Sequence, residues 1–441
     1  MKLSKHNIIS RIADSDKYFI INPLYKEADI LNRKEYDKLY HPEAIQNQDL
    51  INRGYISDPV EENRLYKQKY LEFLDARDTD EVQLFFVPTY MCNFACSYCY
   101  QDEYSAKPKT VEKALIDSFF NYISNTFNNR RKYITLFGGE PLLNTPGQRD
   151  FLEYFFGKTN HYKLDIALVT NGYHLEEYID LLKTTRIREV QVTLDGTKQV
   201  HDKRRMLKGG TSTFERIVNG IDLCLKNNLS VNLRMVLDKE NINNLPELSE
   251  FAIKKGWTSN PLFKTQLGRN YELHHCQSNA SRLYSRVEMY KDIYELLKTN
   301  PEIKEFHKPS FSISKFLFEE GVMPDPLFDS CPGTKTEWAF DYTGQIYSCT
   351  ATVGKPGEEL GTFYPDVFLK EDIISEWEVR DVLSIPECEN CELQLACGGG
   401  CASVAKNNNG RILSPDCRPV KELLELGIAH YFDVLNAENL S

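Results

Sequence analysis

The stretch that decides the reading is 92–100, "CNFACSYCY", which follows the apolar run "VQLFFV" at 82–87. Its thiols, Cys92, Cys96 and Cys99, are spaced C-x3-C-x2-C. An iron–sulfur cube ordinarily takes four thiolates, one per iron. Three in one loop hold three irons and leave the fourth with an open position, which is how a metal site makes room for a substrate or cofactor. A zinc knuckle or a set of buried thiols is the plainer alternative, although zinc sites often use paired C-x2-C spacings.

Outward from this loop the chain alternates. Candidate strands are "VQLFFV" (82–87), "YITLF" (133–137), "LDIALV" (164–169), "EVQVTL" (189–194), "SVNLRMV" (230–236) and "PLFKTQL" (261–267). Helical periodicity lies between them: Val111, Leu115, Phe119, Tyr122 and Ile123 share one face, as do Ile217, Ile221, Cys224 and Leu225. A helix over 246–255 is expected to start at Pro246 and stop at Gly256. Six strands alternating with helices predict a parallel α/β sheet, open or curled into a partial barrel. Active sites in such sheets lie at the C-terminal strand ends, and the cysteine loop follows the first strand.

The chain has 441 residues, 41% of them hydrophobic, enough for two or three globular domains. A net charge of −11 argues against a non-specific nucleic-acid partner. No signal-like apolar region opens the chain and no run is long enough to span a bilayer, so a cytoplasmic setting with no membrane partner is expected. In a reducing compartment, twelve cysteines point to metal ligands rather than disulfides. Ten fall into two groups: the three above, then Cys331, Cys349, Cys388, Cys391, Cys397, Cys401 and Cys417. Cys224, on an apolar helix face, reads as core, and Cys276 as a loop thiol. Three segments are expected: 1–78, 79–305 and a cysteine-rich 306–441 held more by metal than by a large core.

The loop resembles the signature of the radical SAM superfamily, including an aromatic residue, Tyr98, before the last cysteine. The resemblance implies a partial (β/α)6 barrel, a 4Fe–4S cluster on Cys92, Cys96 and Cys99, and S-adenosyl-L-methionine (SAM) chelated to the open iron. Reductive cleavage would then yield a 5′-deoxyadenosyl radical that abstracts hydrogen. "FGGEP" (137–141) resembles the family element that binds the methionyl amino group, here Gly138, Gly139 and Glu140. "TLDG" (193–196) with "HDKRR" (201–205) resembles the family's S-L-D-G…H-D-x-x-R, which places Thr193 and Arg205 against the ribose or carboxylate of SAM. Read by itself, "HDKRR" is a solvated charge run. "TNG" (170–172) also fits the family pattern.

The second group, with Gly344 between Cys331 and Cys349, resembles the seven-cysteine SPASM motif of peptide-modifying radical SAM enzymes. That resemblance implies two auxiliary 4Fe–4S clusters, a distal one on Cys388, Cys391, Cys397 and Cys417 and a proximal one on Cys331, Cys349 and Cys401. A zinc ribbon is the alternative, although it has no use for the Cys331–Gly344–Cys349 element. No cysteine lies in "GVMPDPLFDS" (321–330), so the fourth proximal ligand is open among Asp329, Cys276, solvent or a substrate thiolate. His274 and His275 suggest no partner. Sulfatase-maturating enzymes carry an aspartate after the second SPASM cysteine, where this chain has Thr350.

The resemblance implies a maturase that cross-links a ribosomally made precursor peptide through a thioether or C–C bond. An electron donor such as flavodoxin or ferredoxin is implied as a second partner. A protein side-chain oxidase of the sulfatase-maturating type and a non-catalytic iron–sulfur or zinc scaffold are the alternatives. No spacing singles out a general base. The N-terminal segment is expected to be winged-helix-like, with a strand pair at 17–31 around Asn22–Pro23 and a short helix capped by Asn32. Its role is either to bind a leader peptide as an added strand or to extend the packing of the barrel.

Overall fold

In the computed structural model, described over residues 1–99, 111–270 and 280–438, the apolar runs form the strands expected of them. They are β1 (Val82–Val87), β2 (Lys132–Leu136), β3 (Ile166–Thr170), β4 (Ile187–Thr193), β5 (Val231–Leu237) and β6 (Phe263–Arg269). Neighbours pair in parallel, in the order β6-β5-β4-β3-β2-β1. Helices cross between them, as parallel pairing requires. The helix Leu245–Lys254 starts beside Pro246 and gives way to Gly256 at φ +72°, one residue from its expected bounds.

The sheet does not end at β1. A further strand, β7 (Glu337–Asp341), joins its free edge in parallel, and β8 (Gln345–Tyr347) turns back against β7. The turn carries Gly344 at φ +90°, where a Cβ would lie 2.4 Å from the Tyr364 carbonyl oxygen. The sequence reading expects six strands and a tail with little core, because "EWAFD" stands alone among turn residues and cysteines. The structure instead buries Trp338, Ala339 and Phe340 on the barrel. Phe340 meets Phe119 edge-on at 5.2 Å, and Phe119 packs against Phe86 at 4.7 Å. Such aromatic packing makes the helix Lys113–Thr126 the bridge between barrel and tail, and truncating Phe119 to alanine costs about 3–5 kcal/mol.

In the N-terminal segment, Ile8–Arg11, Tyr18–Asn22 and Glu27–Leu31 form an antiparallel sheet. Asn32 caps the next helix with Glu35 in a reciprocal capping box. Ile8, Ile12, Phe19 and Ile21 belong to the main core. The long helix Pro59–Thr79 sets Tyr66, Tyr70 and Phe73 around the buried ring of Phe328. Tyr66 and Tyr70 donate hydroxyl bonds to Gln394 and Asp381, at 2.8 and 2.7 Å. The segment is thus packed onto the rest of the chain. Among the described residues no helix is long and apolar enough to cross a membrane.

Candidate metal and cofactor site

The cysteine loop is pinned before it can offer ligands. Phe94–Cys96 pairs antiparallel with Arg205–Leu207, setting Cys96 opposite Arg205. Outside that ladder, Ser97 N–H donates to the Arg204 carbonyl at 3.0 Å and Lys208 N–H to the Asn93 carbonyl at 2.8 Å. The buried Phe94 anchors the loop, and the Asn171 amide, from the "TNG" turn after β3, donates to Asn93 Oδ1 at 2.7 Å. Two motifs over a hundred residues apart therefore share one backbone ladder.

A cavity of about 220 Å³ opens at the C-terminal strand ends, lined by Cys92, Cys96 and Cys99. Tyr98, Gly138, Gly139, Thr193 and Arg205 line the same space. Burial first, then Glu140 and the neighbouring thiols, pushes the Cys92 thiol up to about 12. A thiol so reluctant to ionise alone suits a cationic metal centre, which deprotonates its thiol ligands. Arg205 Nη1 donates to the Tyr98 hydroxyl at 2.7 Å, while Arg205 Nε is buried without a partner. Burial opposes the Arg205 charge, but Cys96, Tyr98 and Asp195 more than offset it and its pKa stands well above the ordinary value. A charged fork with an unfilled donor beside three thiols fits an anionic group such as the carboxylate of SAM.

Gly138 and Gly139 were expected to let backbone approach a ligand. The structure shows that they also admit other backbone: a Cβ would lie 2.6 Å from Thr89 O at Gly138 and 2.1 Å from Met91 O at Gly139. Glu140 is buried and does not line the cavity. Its carboxylate accepts from the Thr170 hydroxyl and Asn171 N–H, both at 2.6 Å, and from Leu142 N–H at 2.8 Å. Three of about four acceptor positions are filled, so Glu140 ties the end of β2 to the turn after β3. "HDKRR" is no solvated run either, since His201, Arg204 and Arg205 are buried, Asp202 is half-buried and only Lys203 is exposed.

The second cysteine group separates into two sets. Cys331, Cys349 and Cys401 lie within electrostatic reach of one another, and burial pushes Cys331 and Cys349 up. Cys388, Cys391, Cys397 and Cys417 form the other set, with burial and the three neighbouring thiols pushing Cys388 up to about 12. Between the sets runs "CGGGC", in which Gly398, Gly399 and Gly400 all have φ of +60° to +71°. A Cβ on Gly400 would lie 1.9 Å from Asp416 O, so the loop tolerates no side chain there. None of the described cysteines is in a disulfide. Among the described residues no three His, Cys, Asp or Glu side chains converge on a single-ion position, whereas a cube takes its thiolates from separate corners.

Asp329, one candidate for the fourth proximal ligand, is already engaged. It accepts from Cys331 N–H at 2.9 Å and pairs with the buried Lys335. Cys276, His274 and His275 lie outside the described residues. Cys224 is core, as its helical face implies. Thr350 N–H donates to Glu337 at 3.0 Å, and burial pushes the Glu337 carboxyl up.

The sequence reading missed Arg380, which is fully buried and donates to the carbonyls of Gly399, Gly400, Ile412 and Ser414 at 2.7–3.1 Å. It also missed Gln191, Arg234, Arg269 and Asn270 on the cavity wall. The available signal was parity: Gln191 and Thr193, or Arg234 and Val236, stand two apart on a strand and so share its face.

The family model of the radical SAM superfamily matches residues 86–252. The GTP 3',8-cyclase of Nautilia profundicola is 32% identical over 173 residues, 38% of this chain and 52% of the cyclase, so the chain spans about half the length of that relative. The serine-type anaerobic sulfatase-maturating enzyme of Bacteroides thetaiotaomicron is 27% identical over 387 residues, 78% of this chain and 86% of that enzyme. In fold the chain is similar to Streptococcus suis SuiB bound to its precursor peptide SuiA, with a TM-score of 0.56, 14% identity and coverage of 95% of this chain and 99% of that one. From the match, the parallel barrel and the loop at its mouth, residues 86–252 of this chain are a radical SAM domain.

Proposed function

We propose that the chain is a radical SAM peptide maturase that forms a thioether or C–C cross-link in a ribosomally made precursor. The observation that carries this is the single cavity into which the three loop cysteines, the Gly138–Gly139 turn, Thr193 and Arg205 open together. Cys92, Cys96 and Cys99 would hold a 4Fe–4S cluster, and Arg205 and Thr193 would orient the carboxylate and ribose of SAM. The Gly138–Gly139 backbone would receive its methionyl end, and Glu140 would hold that turn in place from behind the cavity wall. When bound, cluster and SAM supply the hydrogen-abstracting chemistry. Cys388, Cys391, Cys397 and Cys417 would hold a distal cluster, and Cys331, Cys349 and Cys401 a proximal one. The chain's own work is to fix these ligands through the Cys96–Arg205 ladder and the Arg380 clamp.

A peptide substrate is supported by the fold shared with SuiB, which was solved with a precursor peptide. Glu27–Leu31 pairs with one strand only among the described residues, and its other edge suits a leader added as a strand. One observation favours a second reading, oxidation of a protein side chain. Glu337 brings a carboxyl to Thr350, the position where the sulfatase-maturating type resembled here carries aspartate.

The test is anaerobic reconstitution with flavodoxin or dithionite as electron donor. Three cubes predict about twelve irons per chain, and the reduced protein should release 5′-deoxyadenosine from SAM. A peptide encoded beside the gene should lose two hydrogens per cross-link by mass spectrometry. A gain of aldehyde on a folded partner would select the second reading. Full iron loading without SAM cleavage would leave a non-catalytic scaffold.

A further inference from the structure

Arg234 stands within β5, and its side chain lines the same cavity as Cys92, Cys96 and Cys99. The parallel register sets Thr193 of β4 beside it on one side and Gln266 of β6 on the other. Its Nε is buried and has no hydrogen-bond partner. The buried carboxylates that follow β4 and β5, Asp195 and Asp238, are paired with Arg204, and Glu140 beyond β2 is held by three hydrogen bonds. Among the described residues no aspartate or glutamate lines the cavity.

Room for this cation has been made at a distance in sequence. Gly268 lies inside β6, where a Cβ would stand 3.0 Å from both Nε and Nη2 of Arg234. Glycine within a strand weakens it and marks a place where another group comes close. A half-buried guanidinium with an empty buried donor and, among the described residues, no paired carboxylate is unfavourable until a ligand supplies one. Its planar fork matches a carboxylate best. SAM has a single carboxylate, assigned above to Arg205, so a second one has to arrive with the substrate.

We propose that Arg234 is a specificity residue that binds a carboxylate of the substrate, so that the peptide residue entering the cavity is Asp, Glu or the chain's C-terminal residue. This rests on the peptide-maturase reading.

The test uses the reconstituted holoenzyme with SAM and three probes in titration calorimetry. N-acetyl-glutamate N-methylamide presents a side-chain carboxylate, N-acetyl-alanine a terminal one, and N-acetyl-glutamine N-methylamide the uncharged isostere. The wild type should bind one carboxylate probe about tenfold more tightly than the amide, and which one identifies the source. R234Q should lose that preference, R234K should keep part of it, and G268A should weaken it with an unchanged circular dichroism spectrum. Equal binding of acid and amide by the wild type would overturn the proposal, as would a preference that survives in R234Q. Loss of SAM binding by R234Q would also overturn it, because Arg234 would then belong to the cofactor. A wild type that binds the acid selectively yet cleaves no SAM would sink the maturase reading and not the carboxylate site.

Discussion

Arg204 holds Asp238 with both arms of its fork, Nη1 to Oδ1 and Nη2 to Oδ2, each at 2.9 Å. Its Nε reaches Asp195 Oδ2 at 3.3 Å. Asp195 in turn accepts from Val236 N–H, and Asp238 from the Asn270 amide. One buried guanidinium therefore joins the ends of β4, β5 and β6 around the cavity mouth. R204M removes the cation shared by the two buried carboxylates, leaving Asp238 only Arg282 at 3.9 Å, and should destabilise the fold by about 3–5 kcal/mol in urea denaturation. R204K, which cannot span both acids, should recover less than half of that loss.

Arg205, its neighbour, faces the cavity and should act on the cofactor and not on the fold. R205K should weaken SAM binding about tenfold or more, since a charge-assisted bond is worth about 1.5–3 kcal/mol. Iron content should stay at the wild-type value, and calorimetry beside iron analysis separates the two. A fall in iron equal to the fall in SAM binding would make Arg205 a scaffold for Cys96 alone.

The cysteine sets should lose iron independently. C92A/C96A/C99A should lower iron from about twelve to about eight per chain and abolish 5′-deoxyadenosine release. C388A/C391A should remove about four irons and leave the signal of the SAM-binding cluster in electron paramagnetic resonance. Loss of all iron in either variant would mean that the sets do not load separately.

Arg380 grips the loop that separates Cys397 from Cys401, members of different sets. R380M removes a donor from four buried carbonyls, of which Gly399 and Ile412 keep a backbone N–H, and should cost about 3 kcal/mol or more. Auxiliary iron should fall while the cluster on Cys92, Cys96 and Cys99 persists, as read by Mössbauer spectroscopy. Unchanged auxiliary iron would limit Arg380 to a packing role.

His201 sets a pH dependence. Its Nδ1 accepts from Asp195 N–H at 3.2 Å, and its Nε2 lies 3.1 Å from the Thr213 hydroxyl, which donates to the Arg205 carbonyl at 2.7 Å. The ring is thus neutral with the proton on Nε2. Burial, with help from Arg205 and Arg204, lowers its pKa to about 3 against the opposing pull of Asp195 and Asp202. The unfolded chain takes up the proton first, near pH 6.5, so the stabilisation is complete above that pH. It is lost as pH falls toward 3, at up to about 1.4 kcal/mol per unit. Urea midpoints at pH 7.5, 6.5 and 5.5 should fall more steeply for the wild type than for H201Q.

Much of the site was legible because its signals are local. The spacing of Cys92, Cys96 and Cys99 is a property of one loop, and the six barrel strands announce themselves by runs of apolar residues. The Gly138–Gly139 pair and the two arginines were also visible. Which arginine faces the cavity is a different kind of fact. Arg204 and Arg205 are adjacent and chemically identical; the family resemblance picks out Arg205, and the pairing of Arg205 with Cys96 and of Arg204 with Asp238 gives the physical reason.

The sequence by itself determined the ligand chemistry and the barrel, since thiol spacing and hydrophobic period act within a few residues of each other. Tertiary structure decided what depends on distant segments meeting: β7 closing onto β1, Arg380 reaching four carbonyls, and Gly268 making space for Arg234. Those contacts are set by strand register and loop closure, and no short stretch of chain carries them.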